Sequence, residues 1–214
     1  MSESIKIKVC GMRQEQNIYE IARLRPDYMG FIFYPDSPRY AGDTLTPAIT
    51  AKIPDTIHTT GVFVNAPTSW IESICKKFTL NTVQLHGKES PEQCRELQEK
   101  GYEVIKTFSL TKKEDLRNTR NYRSYCDFFL FDTPTYKYGG SGKKFDWSVL
   151  EHFEADRPFF LSGGIEARDA PTIINETPLQ PYALDINSRF ETHPGEKDTQ
   201  MVDRFIKHIR ALER

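Results

Sequence analysis

The chain has 214 residues, of which 38% are hydrophobic and 28% charged, and its formal net charge at pH 7 is -1. This composition is ordinary for a folded protein and unlike that of a disordered one. The near-neutral charge argues against a surface for nucleic acid or for an anionic membrane. No apolar run approaches the roughly 18 to 20 residues that span a bilayer, and we expect no signal peptide at the N-terminus.

The cysteine pattern bounds the chemistry further. Cys10, Cys75, Cys94 and Cys126 are scattered, without a paired CxxC spacing. Neither a zinc site nor a disulfide framework is therefore indicated, and we predict no metal and no cofactor. Free thiols fit a reducing compartment, so the predicted location is the cytoplasm.

Short apolar segments recur along the whole chain at intervals of about 25 residues, and helix-like segments separate them. The predicted strands are 5–10, 28–34, 60–65, 82–87, 103–108, 128–131, 158–164 and 182–188. Helical patterns fall at 17–25, 47–53, 68–78, from Ser90 onward, at 112–122, and at the C-terminus along the stripe Met201, Phe205, Ile209 and Leu212. Strict alternation implies a parallel sheet. Eight units without a linker predict an α/β fold, a single (β/α)8 TIM barrel over residues 1–214, with an open doubly wound sheet as the alternative.

The segment 128–147 contains the most informative strand end. An apolar run stops at Asp132, and a glycine-rich loop with Gly140, Ser141 and Gly142 follows. A short apolar run bounded by turn residues is typical of a strand buried on both faces. A carboxylate at its end lies where α/β enzymes build their sites, and the loop offers backbone N–H groups to an anion. The alternative is a turn residue followed by a flexible connector.

Several chemically capable residues share this position at the C-terminal end of a predicted strand, where barrel enzymes carry their chemistry. They are Cys10, Arg39, His86, Asp132, the pair Gly163–Gly164, and Asp185. Any one of them could be structural, but the whole set on one rim predicts a functional site.

The candidate nucleophile or base is Cys10, because Gly11 after it allows a ligand to approach. The other three cysteines are interpreted as small buried hydrophobes. Asp132 and Asp185 could cap helices or form salt bridges, with Lys143 or Arg189 as partners; the functional interpretation makes one of them a general acid. His86 has no second ligand at metal spacing, so a structural or supporting role is favoured.

Loops after the last three strands suit a phosphate group. They contain Gly140, Ser141 and Gly142, then Ser162, Gly163 and Gly164, then Asn187 and Ser188. Barrel enzymes frequently bind phosphate with the loops after strands seven and eight, so we predict a phosphorylated small molecule as the ligand. Arg39, on a loop stiffened by two prolines, could pair with a carboxylate at the other end of that molecule.

An ordered set of short motifs resembles the phosphoribosylanthranilate isomerase family nearly end to end. The motifs are KVCG at 8–11, GFIF at 30–33 with SPR at 37–39, GVFVN at 61–65, VQLHG at 83–87, FDT at 131–133, GGSG at 139–142, FDW at 145–147, LSGGI at 161–165 and LDINS at 184–188. Glu191, Pro194–Gly195 and Lys197–Asp198 complete the pattern. Single pieces are weak, but the set in this order is very specific.

The resemblance implies a small (β/α)8 barrel of tryptophan biosynthesis. The family converts N-(5-phosphoribosyl)anthranilate to 1-(2-carboxyphenylamino)-1-deoxyribulose 5-phosphate, an Amadori rearrangement that needs no cofactor. The resemblance also implies that Asp132 is the general acid and Cys10 the general base. Arg39 would hold the anthranilate carboxylate, and Asp185 would orient groups or act electrostatically. The three loops would receive the phosphate. The implied partner is this small phosphoribosyl substrate, with no nucleic acid or membrane, for a monomer or a homodimer.

One departure concerns the last phosphate loop, which in the family usually reads Asp-x-Ser-Ser-Gly-x-Glu. This chain has Arg189 where that glycine stands. We favour an Arg189 that pairs with Glu191 and faces solvent over one that offers its guanidinium to the phosphate. A histidine-pathway sugar isomerase is the nearest alternative function, but it is expected to carry an aspartate in place of Cys10. A catalytically inactive barrel, kept as a binding subunit, is expected to have lost the acid or the base.

Overall fold

A computed structural model of the chain describes residues 4–133 and 146–213. Eight parallel strands form a closed barrel, in which each strand pairs with the next and the last pairs with the first. The strands are β1 (Lys6–Cys10), β2 (Tyr28–Phe33), β3 (His58–Phe63), β4 (Thr82–Leu85), β5 (Glu103–Ser109), β6 (Phe128–Asp132), β7 (Phe159–Leu161) and β8 (Ala183–Ile186). The predicted (β/α)8 barrel is thereby confirmed, and the open sheet is excluded because β1 has neighbours on both sides.

Helices cover the outside of the barrel between the strands. They are α1 (Glu15–Arg23), α2 (Pro47–Thr50), α3 (Thr68–Phe78), α4 (Pro91–Glu99), α5 (Ala170–Asn175) and α6 (Thr199–Leu212), with 3-10 helices at Lys113–Tyr122, Trp147–His152, Ala167–Asp169 and Ser188–Phe190. A hairpin of β9 (Glu191–His193) and β10 (Glu196–Lys197) precedes α6. None of the helices in the described ranges is long and apolar enough to cross a membrane.

The segment after β5 differs from its prediction, because it is a 3-10 helix and not an α-helix. Its two buried residues, Leu116 and Thr119, are three positions apart, and Tyr122 follows after three more and packs partly against the core. A 3-10 helix has three residues per turn, so this spacing places all three side chains on one face. The remaining residues are mostly charged or polar and offer no wider apolar face to an α-helix.

Inside the barrel, side chains form layers of different polarity. A floor of apolar residues lies toward the N-terminal end and comprises Tyr28, Ile105, Leu130, Phe160 and Ala183. A polar layer of Lys8, Gln84, Thr107 and Asp185 is hydrogen-bonded above it. Because the floor excludes water from below, the polar layer is accessible only from the C-terminal ends of the strands. The fold thus places this polar layer beneath one rim.

Candidate active site

A cavity of about 680 Å³, including the solvent at its mouth, opens at the C-terminal ends of the barrel strands. It is lined by the predicted residues Cys10, Asp132, Ser162, Gly163, Gly164, Asp185, Asn187 and Ser188. Ile32, Tyr34, Val62 and Val64 form an apolar wall. Gly140, Ser141 and Gly142 lie outside the described residues, as does Lys143. Within the described ranges, no group of three or more His, Cys, Asp or Glu side chains could hold a metal ion.

Cys10 is the last residue of β1 and is only 3% exposed at the bottom of the cavity. Gly30 on the neighbouring strand makes room for it, since a Cβ atom at Gly30 would lie 2.7 Å from the Cys10 Sγ. Burial raises the pKa of the Cys10 thiol, and the nearby charge of Lys8 partly opposes this increase. The thiolate that a base requires therefore depends on the buried cation beside it.

That cation, Lys8, is a functional candidate that the sequence analysis missed. Its Nζ donates to Asp185 Oδ1 at 2.8 Å and to Gln84 Oε1 at 2.7 Å, and its side chain is fully buried. Burial alone would lower the pKa of Lys8, but Asp185 and Cys10 outweigh burial and raise it. Asp185 thus has a salt bridge, as one alternative predicted, but with Lys8. The available signal was that Lys8 and Cys10 are two residues apart on a strand and share a face.

Asp132 ends β6 and contacts a histidine across the rim. Its Oδ1 accepts a hydrogen bond from the backbone N–H of Thr133 at 2.7 Å. Its Oδ2 lies 3.4 Å from Nε2 of His86, and the other ring nitrogen of His86 lies 3.0 Å from Gln84 Nε2. His86 also lines the cavity, and the structural or supporting role favoured from the sequence stays a prediction.

The loop after β7 contains two consecutive glycines, Gly163 and Gly164, which line the cavity. Gly163 and Gly164 have φ angles of 90° and 68°, a conformation that favours glycine. A Cβ atom at Gly163 would also lie 2.4 Å from Thr133 Oγ1, so a side chain has no space there. Ser162 just before them has its Oγ 3.4 Å from Asp185 Oδ2. The loop after β7 therefore connects the backbone at Gly163 and Gly164 to the polar layer through Ser162.

Among the predicted site residues that the structure describes, Arg39 does not line the cavity. Its guanidinium is buried and donates from Nε and one terminal nitrogen to the carboxylate of Glu191, at 2.7 to 3.1 Å. Lys197 Nζ also donates to Glu191, at 2.6 Å, and to Asn187 Oδ1, at 2.7 Å. Arg39 and Lys197 thus tie β9 and the loop after β8 to the rim, a role that sequence reasoning missed for Lys197.

In this cluster one anion, Glu191, is shared by two cations, Arg39 and Lys197, and the pKa shifts of Glu191 and Lys197 reflect this arrangement. Burial alone would raise the pKa of Glu191, but hydrogen bonding from Arg39 and the charge of Lys197 lower it. Burial lowers the pKa of Lys197 to about 8, because Glu191 only partly compensates it. Arg189 is half-exposed on the cavity rim, with its Nε 3.6 Å from Glu166. Glu191, its predicted partner, accepts hydrogen bonds from Arg39 and Lys197.

Together the fold and the site define a (β/α)8 barrel whose cavity contains a carboxyl group and a thiol at one rim. The model for the N-(5'-phosphoribosyl)anthranilate isomerase family matches residues 7–208. The chain is 42% identical to the isomerase of that name from Phocaeicola vulgatus, over 95% of this chain and 97% of the relative. It is 45% identical to the isomerase of that name from Parabacteroides distasonis, over 95% of this chain and 92% of the relative. The solved structure of phosphoribosyl anthranilate isomerase from Thermotoga maritima matches this fold with a TM-score of 0.88 at 34% identity. The match covers 97% of this chain and 99% of that chain.

A second solved structure is of a phosphoribosyl anthranilate isomerase in complex with reduced 1-(o-carboxyphenylamino)-1-deoxyribulose 5-phosphate. It matches this fold with a TM-score of 0.81 at 31% identity, over 97% of this chain and 99% of that chain. This chain belongs to the N-(5'-phosphoribosyl)anthranilate isomerase family. The family assignment predicted from the motifs is confirmed, and the chain is an isomerase.

Proposed function

We propose that this protein converts N-(5-phosphoribosyl)anthranilate to 1-(2-carboxyphenylamino)-1-deoxyribulose 5-phosphate in tryptophan biosynthesis. The observation that carries the proposal is that Cys10 and Asp132, a thiol and a carboxyl group on different strands, line one cavity in a barrel of this family. An aldose-to-ketose rearrangement needs one group that donates a proton and one that removes a proton. The cavity supplies both.

In the first step, Asp132 acts as the general acid. Its carboxyl proton goes to the furanose ring oxygen, the bond from that oxygen to C1 breaks, and the lone pair of the anthranilate nitrogen forms the C=N bond of a protonated Schiff base. Asp132 is left as a carboxylate. The N–H of Thr133 already donates to one of its oxygens, which stabilises that charge.

In the second step, Cys10 acts as the general base. Its thiolate removes the C2 proton, and the electrons of that bond form a C1=C2 double bond while the C=N electrons return to nitrogen. The enolamine then tautomerises to the ketone, with a proton lost from the C2 hydroxyl and one gained at C1. Burial raises the pKa of Cys10 and the charge of Lys8 partly opposes this increase, so the thiolate forms next to a buried cation.

Substrate binding uses the two chemically different sides of the cavity. The apolar wall of Ile32, Val62 and Val64 suits the aromatic ring. The backbone at Gly163 and Gly164, with Ser188 on the neighbouring loop after β8, suits the phosphate. Arg39 remains a predicted ligand of the anthranilate carboxylate, and this role requires its guanidinium to share or release Glu191.

The test generates the substrate in place from anthranilate, phosphoribosyl pyrophosphate and a separate transferase, and follows the loss of substrate fluorescence. We expect turnover by the wild type, and losses of about 10²- to 10⁴-fold in kcat/KM for Cys10→Ser and Asp132→Asn. Cys75→Ser is the matched control, because Cys75 is a buried thiol on α3, away from the cavity. Circular dichroism establishes that each variant is folded.

A folded wild type without turnover would refute the proposed reaction and would favour the histidine-pathway sugar or a non-catalytic barrel. A loss in only one of the two variants would retain the reaction and reject this acid–base pair.

A further inference from the structure

A continuous chain of polar side chains runs beneath the cavity from Lys8 to the proposed acid. Lys8 Nζ donates to Gln84 Oε1 at 2.7 Å, and Gln84 Nε2 lies 3.0 Å from Nδ1 of His86. Nε2 of His86 in turn lies 3.4 Å from Asp132 Oδ2. Lys8 and Gln84 are at most 1% exposed, so bulk water does not compete with the contact between these two residues.

The direction of the hydrogen bonds along this chain follows from its first member. An ammonium group donates and cannot accept, so the Gln84 oxygen must face Lys8 and its NH2 group must face His86. Nδ1 of His86 is then an acceptor, and the single proton of the neutral ring lies on Nε2. That nitrogen faces Asp132. A buried cation on β1 thereby sets the tautomer of a histidine that follows β4.

Two further contacts fix the chain in place. Asp185 Oδ1 accepts from Lys8 Nζ at 2.8 Å, which anchors the cation. Gln84 Nε2 also lies 3.3 Å from Thr107 Oγ1, which helps to orient the amide. Lys8 and Thr107, which hold the two ends of the amide, both belong to the barrel interior, so we expect the amide to keep this orientation when ligand enters.

We propose that Lys8 and Gln84 are positioning residues that act on Asp132 through His86, an inference that rests on the proposed role of Asp132 as the acid. With Nε2–H of His86 at one oxygen and the Thr133 N–H at the other, the carboxyl group keeps one orientation. Both donors also stabilise the carboxylate that remains after proton transfer. A 3.4 Å separation in the free protein shortens to a hydrogen bond with a small movement of either side chain.

The first test reads the histidine tautomer directly, by long-range 1H–15N correlation of the labelled imidazole rings, with His86→Gln used to assign the His86 signals. We expect the Nε2–H tautomer in the wild type. In Gln84→Glu the carboxylate accepts a proton from Nδ1, so we expect the signals of His86 to change to those of a ring protonated at Nδ1. A wild-type ring that already carries its proton on Nδ1, or a pattern that Gln84→Glu leaves unchanged, would overturn the inference.

The second test separates positioning from structure by kinetics. Gln84→Met has a similar length and removes both polar ends, and we expect kcat to fall about 10- to 100-fold with KM little changed, as for other residues that orient a catalytic group. Thr82→Val is the control, because Thr82 is buried two positions before Gln84 on β4 and its hydroxyl donates to Glu103 Oε1 at 2.9 Å, outside the chain to Asp132; its kcat should stay within about threefold.

The two tests keep this inference distinct from the proposed function. The tautomer is measured without turnover, so an inactive wild type with the expected tautomer would refute the reaction and not the chain. A kcat that Gln84→Met and Gln84→Glu both leave at the wild-type value would refute the positioning role even if the reaction is correct. If Gln84→Met does not fold, the isosteric Gln84→Glu decides both readouts.

Discussion

Two lysines on barrel strands, Lys8 of β1 and Lys106 of β5, are both buried with a carboxylate at 2.8 Å, but they serve different regions. Lys8 lies in the barrel interior and contacts Asp185 and Gln84 beneath the cavity. Lys106 donates to Glu89 and to the carbonyl oxygens of Leu85 and Gly87, at the end of β4. The ion pairs are chemically alike, so their functions must differ through what else each partner contacts.

Within the described ranges, Glu89, the anionic partner of Lys106, accepts its other hydrogen bonds from backbone N–H groups. Glu89 accepts from the N–H groups of Asn65 and Gly87, so this pair clamps the loop after β4 onto the loop after β3. The partners of Lys8 lead instead to side chains that line the cavity, through Gln84 to His86 and through Asp185 to Ser162. A buried ion pair is thus structural or functional according to whether its polar contacts continue to a ligand site.

Breaking each pair from its cationic side tests this comparison most strongly. Lys106→Met leaves Glu89 buried without its cation, and we expect a loss of about 3–5 kcal/mol in unfolding free energy. Its kcat, per folded molecule, should stay near the wild-type value. Lys8→Met should show a similar loss of stability together with a large fall in kcat. Urea unfolding and steady-state kinetics measure the two effects.

A companion substitution provides the control for this prediction. Adding Glu89→Gln to Lys106→Met removes the uncompensated charge, so part of the lost stability should return. Equal losses of kcat in Lys8→Met and Lys106→Met would contradict the distinction between the two regions.

A third buried lysine, Lys197, sharpens the comparison through pH. Lys8 keeps its charge because Asp185 and Cys10 outweigh burial, whereas burial prevails at Lys197 and its pKa falls from 10.5 to about 8. Between those two pH values the folded protein has lost this proton and the unfolded chain still holds it. Because the unfolded state binds more protons, the unfolding free energy contributed by Lys197 must rise with pH in this window.

We expect the wild type to gain stability relative to Lys197→Met as the pH rises from about 8 to 10.5. The measurement is urea unfolding of both proteins at several pH values in this range, so that titrations common to both cancel. A difference that falls with pH would show that Glu191 holds Lys197 charged in spite of burial.

The sequence predicted the eight strands and most of the cavity lining, because each strand stops at turn residues and parallel strands end at one rim. It did not identify Lys8, since a lysine that alternates with apolar residues is usually solvent-exposed. In a closed barrel both faces of a strand are buried, so alternation alone cannot separate the interior from the helix-covered side. The partner that identifies Lys8 as functional, Asp185, is 177 positions away along the chain, and only the closure of β8 onto β1 brings them together.

The same limit applies to the cluster of Arg39, Glu191 and Lys197. Arg39 and Glu191 were each recognised as family positions, but their mutual contact depends on the hairpin of β9 and β10, which no sequence pattern predicted. The 3-10 helix after β5 was also missed, because a three-residue spacing over one short segment resembles the first turns of an α-helix.

The smallest effect is expected at Arg189, where this chain departs from the glycine that is usual in the family. Its backbone does not need glycine, since the non-glycine residues with positive φ in the described ranges do not include it. Its side chain is 46% exposed, and its contact with Glu166 is of the exposed type, worth about 0–1 kcal/mol. Arg189→Gly should therefore lower kcat/KM less than tenfold, as the continuous fluorescence assay can measure.

Arg168→Ala provides the matched control for Arg189→Gly, because Arg168 pairs with the same Glu166 at 2.7 Å but does not line the cavity. Equal and small changes in the two variants would mean that Arg189 contributes through its surface pair. A fall of about 100-fold in Arg189→Gly alone, carried by KM, would mean instead that its guanidinium binds the substrate phosphate. The exposed rim would then bind phosphate through a side chain, which would be a difference in chemistry between this chain and the usual family loop.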